Sequence, residues 1–413
     1  MKFKKDNKVT NDAAPTFMAL ILHLYGGKGH VFSYQKSVGE AVRLNGWDHL
    51  AAISPDPTIK IFPSQWRSVY VDSGVLDYEG IEIIKLLRSF TFFPFISSMH
   101  RFARALRSLL KREMNEKHNK KIIFLEVFNP LQLISLVFAL MFMKQNRIAV
   151  WLLYRGGPNW GGSRHRFLAQ SHTMSFRAIH PLIELIVGKS NLVLLTDSNK
   201  LRLSLQEYYK RPVHVVPIPH TPTSISEESM PLRVQNEEIS CWWPGAPRPE
   251  KGLDIIRRIA SEKNEQAFKI KLFVAESANL TIVPDGIKVE AVEDKLGREE
   301  YDRMFFTSNL ILLPYDQEIY NESTSGIFTE SIVAGAIPLV TKDTWMAYEL
   351  YKYNLTELIV DWNNDNLISK LIQISSDVII KEKIKNMQIK YNEYHNVKSF
   401  AQTLKSLYEH TGK

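Results

Sequence analysis

The string LLPYDQEIYNESTSGIFTESIVAGAIPLVT, Leu312 to Thr341, reads as strand, loop, helix, tight glycine turn and strand. Its carboxylates Glu322 and Glu330 are separated by seven residues. In an ideal helix a spacing of eight rotates side chains by roughly 80°, so the two do not share one narrow face and have different tasks. Glu322 falls in the loop before the helix. Ser323, Thr324 or Ser325 is placed to cap that helix, and Gly326 brings the backbone N–H groups of Gly326, Ile327 and Phe328 to the surface. The arrangement would set one carboxylate at a sugar, amides at a phosphate, and a second carboxylate one or two turns further on at a ribose. The plainer reading is a capped helix with Glu330 in a surface salt bridge.

Upstream lies GAPRPEKGLDII, Gly245 to Ile256, which follows an apolar run and opens another helix. Arg248 and Lys251 are three apart, so both cations can meet one anion over the helix entrance. Arg grips phosphate oxygens as a fork and Lys adds a compact charge. The alternative is a solvated turn with exposed bases. Nearer the start, the apolar run Thr16 to Tyr25 ends in Gly26-Gly27-Lys28-Gly29-His30, and a helical segment follows from Phe32 to Leu44, closed by Gly46. Glycines there let the backbone approach a ligand at a helix N-terminus. The pattern is neither GxGxxG nor a GxxxxGK[ST] loop, and a merely tight turn is its competing reading.

Around these motifs, short runs rich in Ile, Val, Leu and Phe alternate with amphipathic stretches, as in parallel sheets covered by helices. Strands are expected at Met18 to His23, His49 to Ile53, Lys121 to Val127, Ile148 to Leu153, Leu192 to Thr196 and His214 to Val216. A second set is expected at Ile239 to Trp243, Lys269 to Val274, Lys288 to Ala291, Asn309 to Leu313, Ile337 to Val340 and Glu357 to Val360. The expected division is an α/β domain over 1–220, a Pro-rich and polar linker over 221–238, a second α/β domain over 239–385, and a C-terminal helix over 386–413 packing back on the first domain.

With 413 residues, 45% apolar and 23% charged, the chain has the size of two ordinary domains and no signature of disorder. One cysteine, Cys241, rules out an internal disulfide and a cysteine-based metal cluster. Met1 to Lys8 and the apolar run after it have the outline of a signal peptide, but Asp6, Asp12 and His23 interrupt it and no small-residue cleavage site follows. The expected location is therefore cytoplasmic. Leu131 to Met143 is shorter than the roughly 20 residues that cross a bilayer, and reads as a buried helix.

The net charge of +8 conceals a division: residues 1–225 hold 30 Lys and Arg against 15 Asp and Glu, and residues 226–413 hold 22 against 29. Much of the excess lies in 85–121, where Phe90, Phe92, Phe93, Phe95, Ile96 and Phe102 precede or interleave with Arg101, Arg104, Arg107, Lys111 and Arg112. Such a segment either seats in the face of an anionic membrane or packs its phenylalanines inward under a solvated basic face. No nucleic-acid-binding signature accompanies it, and none is expected as a partner.

The set of motifs in this order resembles the GT-B glycosyltransferases of glycosyltransferase family 4. The resemblance spans nearly the whole chain: the first glycine loop, the linker, the R-x-E-K-G element from Arg248 to Gly252, the E-x7-E element from Glu322 to Glu330, and the C-terminal helical segment. It implies two Rossmann-like domains facing each other across a cleft. It also implies transfer of a sugar from a nucleotide-diphosphate sugar to a glycan or lipid-linked acceptor, with retention of configuration and no metal or cofactor, in cell-surface polysaccharide biosynthesis. By the same resemblance Arg248 and Lys251 would grip the diphosphate, Glu322 the transferred sugar, Glu330 the ribose, and Gly26 and Gly27 would close over the donor, with Ser325, Gly326, Ile327 and Phe328 at the phosphate. One departure stands out. Many members carry a histidine after the strand that ends here at Leu153, where this chain reads Tyr154-Arg155-Gly156-Gly157. Tyr154 or Arg155 is then the candidate for acceptor or phosphate contact. An inverting transferase or sugar-nucleotide epimerase, with Glu126 as base, and a non-catalytic partner subunit remain the alternative readings.

Overall fold

The computed structural model describes residues 14–21, 30–53, 66–68, 92–126, 128–141, 143, 147–157, 162–222, 238–263, 265–280 and 286–411, with backbone alone at 30, 67–68, 92–98 and 162–172. Two parallel sheets organise them. The first contains β1 (Thr16–Ile21), β2 (Asp48–Ile53), β3 (Trp66–Ser68), β4 (Lys121–Leu125), β5 (Ile148–Tyr154), β6 (Leu192–Thr196) and β7 (Val213–Val215), in the order β3-β2-β1-β4-β5-β6-β7. The second contains β8 (Ile239–Trp242), β9 (Ile270–Ala275), β10 (Lys288–Val292), β11 (Leu310–Leu313), β12 (Ile337–Thr341) and β13 (Ile359–Val360), in the order β10-β9-β8-β11-β12-β13. The expected strands are present, and β3 is an addition. Three residues, Trp66 to Ser68, are too few to show a period, and their pairing with Ala51 to Ile53 is what makes them a strand.

Successive residues of β1 enter different cores: Met18 and Leu20 join one apolar cluster, Phe17, Ala19 and Ile21 the other. A strand covered on both faces is a continuous apolar run, which is why it was legible. On the Met18 face pack α2 (Phe92–Glu116), α3 (Pro130–Leu140), α4 (Gly162–Val187) and α5 (Asn199–Tyr209). On the Phe17 face lies α1 (His30–Leu44), whose Tyr34, Val38, Ala41 and Val42 meet Phe400, Ala401, Leu404 and Leu407 from the last helix of the chain. The second sheet is covered by α6 (Leu253–Ser261), α7 (Arg298–Thr307), α8 (Gly326–Val333), α9 (Trp345–Tyr351), α10 (Leu367–Ser376) and α11 (Val378–Tyr394). The chain then bends at His395 and crosses back as α12 (Val397–Thr411), where the Asn45 side chain donates to the Ala401 carbonyl at 2.7 Å.

Within α2 the described apolar residues Phe102, Ala103, Leu106, Leu109 and Leu110 are buried against the sheet, while Arg101, Arg104, Lys111 and Arg112 are exposed. This part of the helix offers a lipid surface charge but no apolar face. The side chains of Phe90, Phe92, Phe93, Phe95 and Ile96 lie outside the described residues. No helix among the described residues is long and apolar enough to cross a membrane.

Candidate active site

Each sheet reverses its strand order once, between β1 and β4 in the first and between β8 and β11 in the second. The connections diverge there, and open parallel sheets bind ligands in the crevice outside the carboxyl ends of the strands at that point. The loops that leave β8 and β11 carry the two motifs of the second half. They are tied together: the Asp316 amide donates to the Glu250 carbonyl at 2.9 Å, and Gly252, at φ +84°, lies so close to Pro314 that a Cβ there would overlap the Pro314 carbonyl. Only glycine meets both conditions.

Gly245, at φ +89°, brings three features to one spot. A Cβ built there would stand 3.0 Å from Lys251 Nζ and 3.4 Å from Ile327 Cδ1. Lys251 therefore lies beside the start of α8. Its ammonium is partly buried, sits 5.7 Å from the centre of the Tyr315 ring, and has no ion-pair partner among the described residues. Burial, reinforced by the like charge of Arg248, lowers its pKa to about 8. Arg248 is 63% exposed and 3.7 Å from Glu250. Ser325 caps α8, and its hydroxyl accepts from the Phe328 amide at 3.2 Å. The expectation of three open amides is corrected here: Phe328 N–H is already satisfied and its ring is buried, which leaves the amides of Gly326 and Ile327 in the first turn of the helix.

The two glutamates are separated, as their spacing requires. Glu330 is 2% exposed and lies under α7, with the Tyr301 hydroxyl at 3.0 Å and Arg298 at 3.3 Å. Burial outweighs both partners and raises its pKa to about 7. Glu322 reaches out of the second half altogether. Its Oε1 accepts from Ser204 Oγ on α5 at 2.5 Å, and a Cβ on Gly157, after β5, would overlap its Oε2. The carboxyl edges of the two sheets thus face each other, and Lys200 adds a contact 5.9 Å from the Tyr348 ring centre.

On the first-domain side, Arg155 pairs with Glu126 at 2.8 Å, approaches Asp197 to 4.0 Å and stacks 4.5 Å over the Tyr34 ring. Glu126 also accepts from Gln35 at 2.6 Å. Arg155 is held as a cation between two buried carboxylates. Glu126 is committed to that pairing, so it is not an open base. Tyr154 is a correction: it points to the opposite face of the sheet, where its hydroxyl meets His180 Nε2 at 2.7 Å among Phe128, Phe176 and Tyr209. Tyr154 is the last residue of β5 and Arg155 follows the strand, turning to Tyr34 on the α1 side, so the two are not equivalent candidates. Gly26 and Gly27 lie outside the described residues. Among the described residues no group of three or more His, Cys, Asp and Glu is arranged to hold a metal ion.

Sequence reasoning missed Asp197, Ser204, Gln35 and Tyr34. Asp197-Ser198 follows an apolar strand and opens α5 with Ser198 as its cap, a visible signal. Nothing marks Ser204 in the sequence; only its meeting with Glu322 does.

No protein-family model matches the chain, and no curated protein does. Solved structures do. Sucrose-phosphate synthase from Thermosynechococcus elongatus is 14% identical, with 96% of this chain and 99% of that one covered and a TM-score of 0.64. An α,α-trehalose-phosphate synthase (UDP-forming) from Burkholderia xenovorans, in complex with glucose-6-phosphate, is 11% identical, with 96% and 100% covered and a TM-score of 0.61. The fold is GT-B. A putative UDP-N-acetylglucosamine 2-epimerase from Listeria monocytogenes shares it at 10% identity, with 97% of each chain covered and a TM-score of 0.58.

Proposed function

We propose that the chain is a glycosyltransferase that moves a sugar from a nucleotide-diphosphate sugar to a glycan or lipid-linked acceptor, with retention, in cell-surface polysaccharide synthesis. The observation that carries the reading is the meeting of Lys251, Gly245 and the start of α8 at the strand-order reversal of the second sheet. An ammonium short of an ion pair, beside two helix-terminal amides, suits a diphosphate. The GT-B fold and the UDP-forming neighbour support it.

In this reading Lys251 and Arg248 neutralise charge as the nucleotide leaves, and the amides of Gly326 and Ile327 hold the same phosphate. Fixed charge at the departing oxygen lowers the barrier by stabilising the negative charge that develops there. The acceptor hydroxyl is positioned from the first domain and attacks on the face the nucleotide leaves. In this reading the transfer proceeds without a metal ion, the charge being met by Lys251 and Arg248. Glu330 carries one bond on each oxygen, from Arg298 and from Tyr301, and the remaining lone pairs are what a ribose hydroxyl would use in this reading.

Thermal-shift titration with UDP, GDP, ADP and their hexose conjugates tests the reading, since a ligand of the folded state raises apparent stability. A shift with one base, together with release of that diphosphate on adding acceptor, supports it. No shift at millimolar concentrations would falsify it. The epimerase neighbour favours a second reading, sugar-nucleotide epimerisation. Appearance of a new sugar nucleotide without any acceptor would select that one.

A further inference from the structure

Glu322 lies in the long loop between β11 and α8, and neither a helix nor a strand of its own domain fixes its side chain. The loop backbone is tied down, because Trp345 N–H donates to the Tyr320 carbonyl at 2.8 Å and the Asn321 side chain donates to the Asp343 carbonyl at 2.9 Å. The carboxylate is not. Its one hydrogen bond among the described residues comes from Ser204, in the other domain. Gly157, also in the other domain, supplies the space for Oε2, since any Cβ there would overlap it. Lys200, one turn before Ser204 on α5, is near enough for the Glu322 charge to act on it.

Oε2 is buried with no hydrogen-bond partner among the described residues. A buried carboxylate oxygen left without a donor is costly, and a ligand hydroxyl is a donor that would satisfy it.

We propose that Ser204 and Gly157 are positioning residues that aim Glu322 at the donor sugar from across the cleft, so that the sugar subsite is complete only when the two domains meet. The proposal rests on the transferase reading. Its consequence is a division of labour: the groups that hold the diphosphate, Lys251, Gly326 and Ile327, all belong to the second domain, whereas the grip on the sugar depends on the first. Binding energy expressed only on closure assembles the site for the correct donor.

The test is a calorimetric titration of Ser204→Ala with whichever of UDP, GDP or ADP gives the largest thermal shift, and with its hexose conjugate, alongside turnover. The expected result is an affinity for the diphosphate within about twofold of the unsubstituted protein, with hexose-conjugate affinity and kcat lowered roughly tenfold or more, the scale of one hydrogen bond to a charged group. Glu322→Gln should cost more than Ser204→Ala, and adding Ser204→Ala to Glu322→Gln should cost nothing further, because Ser204 acts only through the carboxylate it aims. Gly157→Ala should reproduce the same signature at an unchanged melting temperature. Ser204→Ala that turns over like the unsubstituted protein, additive losses in the double variant, or equal loss of diphosphate and conjugate affinity would each overturn the proposal while leaving the transferase reading intact. An unsubstituted protein that binds the conjugate no better than the diphosphate and turns none over would sink both.

Discussion

Lys251 combines a charge with a setting that resists it, and its behaviour with pH follows. Burial and Arg248 lower its pKa to about 8, and the protonated form is the one that holds a diphosphate. Affinity for the diphosphate should be level from pH 7 to about 8 and then fall, by up to about tenfold per pH unit, as the ammonium deprotonates. Titrations between pH 7 and 9.5 read this directly, and Lys251→Ala should bind about ten- to a hundredfold more weakly and lose the pH dependence. A Lys251→Ala variant that kept the falling limb would refute the assignment. At Glu330 the pKa shift is upward instead of downward, and it acts on stability. Its folded pKa of about 7 lies above that of an unfolded glutamate, so the stability it leaves intact below the unfolded value is lost as pH rises through 7. Denaturant midpoints measured from pH 4.5 to 8 should therefore decline in part through this group, and Glu330→Gln should flatten that part of the profile. An unchanged slope in the variant would show that Arg298 and Tyr301 fully offset the burial.

At the scale of elements, the turn from Arg248 to Leu253 illustrates how a motif is also a packing device. Gly252 ends the short 3₁₀ turn at φ +84° and opens α6, while its bare Cα lies against the Pro314 carbonyl of the neighbouring loop. Gly252→Ala faces left-handed backbone strain and a clash at once, an expected cost of about 1–3 kcal/mol or more. Chemical denaturation checks the stability, and diphosphate affinity should fall with it because Lys251 is the preceding residue. Stability within 0.5 kcal/mol of the unsubstituted protein, roughly the noise of a neutral surface change, would contradict this account. A cap for α8 among Ser323, Thr324 and Ser325 was readable from the sequence, as was the divergence of Glu322 and Glu330; that Ser325 is the one came from the structure. The occupation of Phe328 N–H by Ser325 was not anticipated, although a capping hydroxyl must take an amide from the same set that an anion would use.

Across the whole molecule, α12 stitches the end of the chain onto α1. Leu404 and Phe400 are fully buried in the core on that face of the first sheet, and His395 at the bend accepts from the Ile218 amide at 3.1 Å through Nδ1. Burial lowers the His395 pKa to about 3, so the ring stays neutral and can keep accepting. Leu404→Ala should destabilise the first domain by about 2–5 kcal/mol, the cost of a large cavity in a packed core. Unfolding followed by Trp fluorescence would show it, and a loss under 1 kcal/mol, about the range of a surface substitution, would mean that α12 is only loosely attached. The charge division between the halves has a physical counterpart too, since the basic surface of α2 is what remains after its apolar side is used by the sheet.

Periodicity and punctuation were enough for the alternation of strands and helices, because strands buried on both faces must be apolar throughout and glycine must stand where φ is positive. The same local rules located the turn from Arg248 to Gly252 and the loop before Gly326. That Tyr154 packs under the helices on one side of the sheet, while Arg155 just past β5 turns to Glu126, Asp197 and Tyr34, depended on how the sheet is covered. The meeting of Glu322 with Ser204 and Gly157 depended on two domains closing over one another. A local pattern records the conformation of a segment; a partner 118 positions away in the chain is recorded only by the packing that brings it within 2.5 Å.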